Sequence, residues 1–359
     1  MSDWRAALFR KLFMQKRKNE SSLTSQASKR GNESLNMRRD VLRAIAALPL
    51  AGGAIAAPAE RESFRPSQPD AKDFVSYRTV DVKGVKIFYR EAGPENGPVL
   101  LLLHGYSSSS RMFESIMSKL SAWFRVIAPD YPGFGWSDAP DPSAYAYTFE
   151  NLSQTILDFS DLLKLERYSL YMQDYGGPVG FGMATARPER IHSLVVQNAV
   201  IHEEGLTGLW DARKAYWTNR DAHEAAIREG MFSVPAGIAR HVGDRPHLER
   251  YNPDLWMDEI LSLRRPGIDR IQLNLSFDYQ NNLKRYPEWQ SYLRTKRPPL
   301  LVLWGQHDPL FSVKGAWAMQ REQPKAIINV LEAGHFATYD VPSEISKRVL
   351  SFHHDLEVA

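Results

Sequence analysis

The stretch Leu170-Tyr171-Met172-Gln173-Asp174-Tyr175-Gly176-Gly177-Pro178-Val179-Gly180 joins an apolar run to one carboxylate and then to glycines. This pattern predicts a strand, a tight turn and the start of a helix, with Asp174 at the turn. The same turn is the geometry of the nucleophile elbow, usually written G-x-S-x-G. Because an ordinary Asp has a pKa near ~4, it is ionised at neutral pH and needs no base to act as a nucleophile. The alternative is that Asp174 only caps the following helix.

The composition is that of a folded protein with a large core. The chain has 359 residues, of which 43% are hydrophobic and 11% aromatic, enough for one large domain with an inserted subdomain. Cysteine is absent, which excludes disulfides, thiolate nucleophiles and Cys-ligated metals.

The positive charge lies at the start of the chain. The formal net charge is +3, but residues 1–43 hold eleven Lys and Arg against four Asp and Glu, which is +7 and leaves −4 for residues 44–359. The body is therefore mildly acidic, and no nucleic-acid partner is indicated.

Residues 1–59 form a basic leader, and in its second half Arg38 and Arg39 precede the weakly apolar residues 44–57. This order resembles a twin-arginine signal and predicts a periplasmic protein. The apolar stretch has fourteen residues, short of the ~20 that span a bilayer, so no stable membrane anchor is expected. Cleavage after Ala56 or Ala59, a true start at Met37, and a basic tail on a cytoplasmic enzyme all stay open.

After a linker over residues 60–74, strand and helix patterns alternate. Residues 76–89 alternate apolar and polar side chains about a turn and predict a hairpin. Later strands and helices follow one another in turn, which predicts a mostly parallel, doubly wound α/β sheet. The apolar runs that we assign to its strands are residues 98–103, 124–128, 170–173, 194–196, 298–304 and 326–331. The core is thus divided into residues 75–200 and 297–359.

Between the two parts of the core, residues 201–296 have a helical pattern and are rich in aromatic side chains. We interpret them as an inserted helical cap. Most of its rings are expected to pack the interior of the cap, with two or three facing a ligand.

Two further residues complete a candidate catalytic set. Asp308 follows one predicted strand and His335 follows the last, so the chain order is Asp174, Asp308, His335. This is the order of nucleophile, acid and histidine in the α/β-hydrolase triad, and all three follow strands, on the side of an open sheet where ligands bind.

With these residues, the chain resembles the epoxide hydrolase and haloalkane dehalogenase group of α/β-hydrolases from about residue 75 to residue 350. In that group the turn reads Q-D-W-G-G or H-D-W-G-G, and this sequence has Gln173-Asp174-Tyr175-Gly176-Gly177. The resemblance implies that Asp174 is the nucleophile, His335 the base and Asp308 the acid that orients it. It also implies an oxyanion hole made by the backbone N–H groups of Tyr106 and Tyr175.

The mechanism implied by the resemblance has two steps. Asp174 attacks an sp3 carbon and opens a ring or expels a halide, which leaves an alkyl ester on the enzyme. His335 then activates water to hydrolyse that ester, while the oxyanion hole stabilises the tetrahedral intermediate.

Two departures bear on the choice of leaving group. Dehalogenases of the group have Trp after the nucleophile, whereas Tyr175 has no indole N–H; epoxide hydrolases usually have His-Gly-x-Pro, whereas this chain has Ser107 in place of the proline. Epoxide hydrolases use cap tyrosines as acids, and the segment around Tyr279 resembles one that carries such a residue, with Tyr216 a poorer candidate. The resemblance therefore favours an epoxide hydrolase, with a haloalkane dehalogenase as the alternative.

Other classes are less consistent with the sequence. An ordinary esterase needs serine at position 174, and a catalytically inactive binding protein on the same fold would not need the intact triad. No metal motif is complete, since His202 lacks the second histidine of H-E-x-x-H, and we expect no cofactor. The expected partners are a small hydrophobic organic substrate and water. The sequence leaves the oligomeric state open.

Overall fold

The computed structural model of the protein describes residues 74–358. The leader, the signal pattern with its arginine pair and nearly all of the linker lie outside the described residues. Within residues 74–358, no helix is both long enough and apolar enough to cross a membrane.

One eight-stranded sheet forms the centre of the described region. Its strands are β1 (Ser76–Val82), β2 (Val85–Ala92), β3 (Val99–Leu103), β4 (Arg125–Pro129), β5 (Tyr168–Gln173), β6 (Ile191–Gln197), β7 (Leu300–Gly305) and β8 (Ile327–Leu331). They lie in the order β1-β2-β4-β3-β5-β6-β7-β8. The β1–β2 and β2–β4 pairs are antiparallel, and every pair from β4 to β8 is parallel. The prediction of a mostly parallel α/β sheet is confirmed.

Eleven α-helices are present in residues 74–358. They are α1 (Glu114–Leu120), α2 (Phe149–Leu162), α3 (Gly176–Ala186), α4 (Asp211–Thr218), α5 (Arg220–Phe232), α6 (Val234–Val242), α7 (Pro253–Leu263), α8 (Ile268–Lys296), α9 (Lys314–Glu322), α10 (Ala337–Asp340) and α11 (Pro342–Val358). The predicted helix near residues 112–123 is shorter than expected, because a 3₁₀ turn, Ser110–Phe113, takes its first residues.

The continuous apolar strands are explained by helices that pack on both faces of the sheet. In β3, Leu100 and Leu102 pack on one face with α1 and α11, while Leu101 and Leu103 pack on the other with α2 and α3. All four side chains have no exposed surface. A strand buried on both sides must be apolar at every position, which is why its sequence shows no alternation.

Helices α4 to α8 all lie between β6 and β7, the segment with the helical pattern. Local signals start three of them: the side chains of Asn219, Ser233 and Asn252 accept hydrogen bonds from backbone N–H groups in the first turns of α5, α6 and α7. The longest helix, α8, packs against α2, α3 and α9 of the core. The inserted helices are thereby held against the sheet layer.

Candidate active site

The turn after β5 places Asp174 in a strained conformation. Its φ is +48°, in the left-handed region that non-glycine residues seldom adopt. The chain can turn so sharply because Gly176 has no side chain: a Cβ there would lie 2.1 Å from the carbonyl oxygen of Leu103. This tight turn raises the Asp174 side chain above the end of the strand.

The Asp174 side chain does not serve only as a cap of the following helix. Its Oδ1 accepts a hydrogen bond from the backbone N–H of Tyr106, in the loop after β3, at 2.7 Å. Tyr175 occupies the N-cap position of α3, which has no side-chain cap. The backbone N–H of Tyr175 also donates to the Asp174 carboxylate. Both backbone donors named from the sequence therefore converge on this carboxylate.

The close approach of the loop after β3 depends on Gly105. A Cβ at this position would lie 2.2 Å from Oε1 of Gln173 and 2.5 Å from Cβ of Asp174. Only glycine lets the Tyr106 N–H reach the carboxylate.

Asp308 and His335 meet Asp174 at the carboxyl ends of the strands. Nδ1 of His335 lies 2.8 Å from Oδ2 of Asp308, and Nε2 of His335 lies 3.7 Å from Oδ2 of Asp174. Because Asp308 accepts the Nδ1 proton, Nε2 of neutral His335 carries the lone pair. It lies 3.1 Å from Nε2 of Gln173, beside Asp174. The three residues form a continuous Asp-His-Asp arrangement.

Neighbouring amides hold this arrangement in place. Asn198, just past β6, donates from Nδ2 to Oδ2 of Asp308 at 2.8 Å. The N–H groups of Leu310 and Phe311 donate to the other oxygen of Asp308. Gln173 and Gln197 each donate to the backbone carbonyl of His335 at 3.3 Å. We did not name Asn198 or Gln197 from the sequence; the available signal was a pair of amides at the end of a strand, just where ligands bind in such sheets.

Burial and charge shift the ionisation of both partners. Burial raises the pKa of Asp174, and His335, the two backbone N–H groups and Arg213 offset only part of that effect. Burial alone would lower the pKa of His335, but Asp308 and then Asp174 together raise it above its ordinary value. The two groups are therefore coupled, and a change in the charge of Asp174 alters the basicity of His335.

The aromatic side chains around Asp174 form a row over the site. The Tyr175 ring lies 5.7 Å from that of Tyr106 and 5.9 Å from that of Tyr279, and Trp210 follows at 4.6 Å from Tyr279. Tyr279, our candidate acid, thus stands next to Tyr175. Tyr216 is elsewhere, with its ring against Phe277.

The hydroxyl groups in this row differ in their partners. That of Tyr175 is buried and has no hydrogen-bond partner among residues 74–358. The Tyr279 hydroxyl lies near that of Tyr286, which is itself buried and has no hydrogen-bond partner among residues 74–358. Burial raises the pKa of both Tyr175 and Tyr279, so both stay protonated at neutral pH and can donate.

The two cap tryptophans whose rings pack on Tyr279 have their indole N–H groups already used. Nε1 of Trp210 donates to the carbonyl of Leu310 at 3.1 Å, and Nε1 of Trp217 donates to that of Ser276 at 2.8 Å. Neither indole is free to bind an ion or a leaving group. Among the described residues, no group of three or more His, Asp or Glu side chains is arranged to hold a metal ion.

Comparison with known proteins fits this geometry. A family model described as alpha/beta hydrolase fold matches residues 98–342. The chain belongs to the α/β-hydrolase family. An uncharacterized hydrolase of Saccharomyces cerevisiae is 38% identical over 272 residues, covering 75% of this chain and 93% of the yeast protein.

More distant members of the family have named activities. Haloalkane dehalogenase 2 of Mycobacterium tuberculosis is 27% identical, covering 76% of this chain and 93% of its own. A cis-3-alkyl-4-alkyloxetan-2-one decarboxylase of Shewanella oneidensis is 27% identical, with coverage of 76% and 87%. Among solved structures, the haloalkane dehalogenase DbeA of Bradyrhizobium elkani superposes with a TM-score of 0.65 at 20% identity, covering 79% of this chain and 99% of DbeA. That last likeness concerns the fold alone.

Proposed function

We propose that this α/β-hydrolase acts through a covalent ester on Asp174 and that its substrate is an epoxide. The observation that carries the proposal is the Asp174 carboxylate itself, held by two backbone N–H groups and facing Nε2 of His335 at 3.7 Å. A carboxylate in this position can attack carbon directly, as serine cannot without a base.

In the first step the two oxygens of Asp174 have different tasks. Oδ1 is bound to the Tyr106 N–H, whereas Oδ2 faces His335, so we assign the attack to Oδ2. A bond forms between Oδ2 and an epoxide carbon, the carbon–oxygen bond of the ring breaks, and the released oxygen takes a proton from a phenolic hydroxyl. The result is a hydroxyalkyl ester whose carbonyl oxygen, Oδ1, lies in the oxyanion hole.

The second step uses His335. Alkylation removes the negative charge of Asp174, which is one cause of the raised pKa of His335. The pKa of His335 therefore falls, which favours the neutral imidazole. This imidazole takes a proton from water as the water oxygen attacks the ester carbonyl. The Tyr106 and Tyr175 N–H groups stabilise the oxyanion, a contribution of about 3 kcal/mol for each donor. Collapse of the intermediate breaks the bond between Cγ of Asp174 and Oδ2, the leaving oxygen takes the proton held by His335, and the diol is released. The proton that remains on the Asp174 carboxyl group returns to the phenolate, which restores both the carboxylate and the phenol.

The hydrogen-bond donors over Asp174 favour oxygen over halide as the leaving group. Tyr175 and Tyr279 offer phenolic hydroxyls, and that of Tyr175 has no other partner in the described chain. A halide would need N–H or ring-edge donors, and the indole N–H groups of Trp210 and Trp217 do not serve because they donate to backbone carbonyls. Haloalkane dehalogenation is the second candidate, because relatives at 27% identity carry that name.

The proposal is tested by single turnover in H₂¹⁸O with an epoxide panel and a haloalkane panel. If the ester forms, excess enzyme gives a first diol that holds an unlabelled oxygen from Asp174, and the label enters the enzyme instead. Asp174→Asn should abolish turnover, His335→Gln should accumulate an adduct seen by intact mass, and the exposed Asp141→Asn should change neither. Label in every first-turnover diol would overturn the covalent route, and halide release without diol would overturn the epoxide assignment.

We further propose export to the periplasm, which rests on the arginine pair and apolar stretch of the leader.

A further inference from the structure

Two cap arginines lie at the two ends of the row of aromatic rings around Asp174. Arg213, on α4, has its guanidinium carbon 4.8 Å from the centre of the Trp210 ring. Arg240, on α6, has its guanidinium carbon 5.1 Å from the centre of the Tyr106 ring. The charge of Arg213 acts to lower the pKa of Asp174, and that of Arg240 has the same effect on the paired histidine, so both cations lie near the catalytic residues.

Neither arginine has a carboxylate partner within 4.0 Å among residues 74–358, in contrast to the cap arginines Arg228 and Arg245. Arg240 is 5% exposed; it donates to two backbone carbonyls, those of Gly230 and Met231, and its Nε is unpaired. Arg213 is half-buried and makes no hydrogen bond to a described residue.

The nearest acid on the cap is already engaged. Glu259 is buried and accepts hydrogen bonds from Ser107 at 2.7 Å and from His241 at 3.0 Å. A buried cation without a close counter-ion is costly, because burial removes water that nothing replaces. One buried and one half-buried arginine beside one catalytic centre, neither with a described carboxylate within 4.0 Å, indicate that a negative charge is supplied from outside the chain.

We propose that Arg213 and Arg240 bind a carboxylate of the substrate, so that this enzyme acts on epoxides that carry an acid group beside the ring. This inference rests on the proposed function for the electrophilic carbon, but the anion site itself does not. A planar guanidinium fits a carboxylate through paired N–H donors. The two positive charges also offset the repulsion between a substrate carboxylate and Asp174, which would otherwise oppose attack.

A rival role is that the arginines only keep Asp174 ionised. That role would help neutral and anionic substrates equally, whereas a carboxylate site discriminates between an acid and its amide. The two roles are therefore separated by matched pairs of substrates.

The kinetic test compares glycidate with glycidamide in the wild type, Arg213→Gln, Arg240→Gln and Arg213→Lys. We expect the wild type to prefer the acid in kcat/KM and each Gln variant to lose that preference by about tenfold or more, mainly through KM. Arg213→Lys should retain part of it. Arg228→Gln, a cap arginine that is already paired with Glu224 and Asp269, is the matched control and should keep the full preference. Equal loss for acid and amide in the Gln variants would overturn the carboxylate site.

A binding test needs no chemistry on the ligand. Calorimetry of the full chain with isobutyrate and isobutyramide should show the acid binding more tightly, and Arg213→Gln should remove the difference. If isobutyrate binds in this way but no epoxide is turned over, the anion site stands and the proposed reaction fails. If epoxides are turned over but isobutyrate binds no better than the amide, or equally well in the variant, the reaction stands and the anion site is overturned. If Arg240→Gln unfolds the cap because its backbone contacts are lost, Arg213→Gln alone decides the test.

Discussion

Tyr175 contributes to the candidate site through both its backbone N–H and its side-chain hydroxyl. Its backbone N–H donates to Asp174, while its ring packs edge-on against Phe149 at 4.8 Å and lies beside Tyr106 and Tyr279. The ring is fixed on three sides, and the hydroxyl has no partner among the described residues. A rigid ring with an unpaired donor is suited to protonate an atom of the substrate.

Tyr175→Phe removes that donor and keeps the shape of the ring. We expect kcat/KM for epoxides to fall about 10- to 100-fold, because general acid catalysis is typically worth 10²–10⁴-fold and Tyr279 can supply part of it. Steady-state assays of diol formation measure the loss, and the double variant with Tyr279→Phe should lose more. Tyr292→Phe, a buried tyrosine further along α8, is the matched control. Undiminished epoxide turnover in the double variant would exclude the phenolic acids.

Asp308→Asn tests how charge controls the base. Asp308 is the main cause that raises the pKa of His335 against burial, so its loss lowers that pKa and the neutral histidine persists to lower pH. The acid limb of ester hydrolysis should therefore move to lower pH, while the plateau rate falls ~10²–10⁴-fold because His335 loses the partner that orients its proton. Decay of the ester followed by intact mass over a pH series measures both effects. An acid limb that stays in place or moves up would contradict this account, and Asp141→Asn should leave the profile unchanged.

At the scale of single elements, β5 and α3 position Asp174, the proposed nucleophile, through contacts that leave no room for a side chain. Gly176 lies against Leu103 of β3, so the start of α3 approaches the neighbouring strand more closely than any other residue would allow. The strain at Asp174 and this close approach belong to one turn.

Gly176→Ala should therefore destabilise the protein. The added Cβ would lie 2.1 Å from a backbone oxygen, which cannot move aside as a flexible side chain would. We expect a loss of about 1–3 kcal/mol in the free energy of unfolding, with a larger loss of activity as the turn shifts. Gly230→Ala, in α5, meets nothing within 4 Å and should be neutral or stabilising by up to ~1 kcal/mol. Denaturant unfolding of both variants measures the contrast, and equal stabilities would show that the turn accommodates a methyl group.

The elements also explain what the sequence could predict. Burial of β3 and β5 can be predicted from the sequence, because both are uninterrupted apolar runs. Asp174, Asp308 and His335 each follow such a run, which places them on one edge of the sheet. Arg213 and Arg240 could not be singled out in this way, because each lies on a short cap helix whose orientation depends on packing against the core. Asn198 was equally hard to single out, since its partner Asp308 is 110 residues away.

At the scale of the whole described chain, the cap encloses the site. Asp174 is 4% exposed and His335 fully buried, so substrate entry requires the cap or a loop to move. A link between the two parts lies next to Tyr106, where Ser107 of the core donates to Glu259 of the cap and His241 shares the same carboxylate oxygen. The cap thus contacts the core directly beside Tyr106.

Over the full sequence, the leader and the body differ in net charge, with +7 in residues 1–43 and −4 in the remainder. Replacing Arg38 and Arg39 together by lysine keeps that charge but removes the paired guanidinium groups. If the pair is a twin-arginine signal, the variant should remain in the cytoplasm while the wild type reaches the periplasm. Cell fractionation with activity and immunoblot readouts measures the distribution. Replacing Arg10 and Arg17 by lysine is the matched control, and a chain begun at Met37 should be exported as well as the full chain. Periplasmic accumulation of the lysine pair would contradict the twin-arginine assignment, because a signal that depends only on positive charge would be left intact.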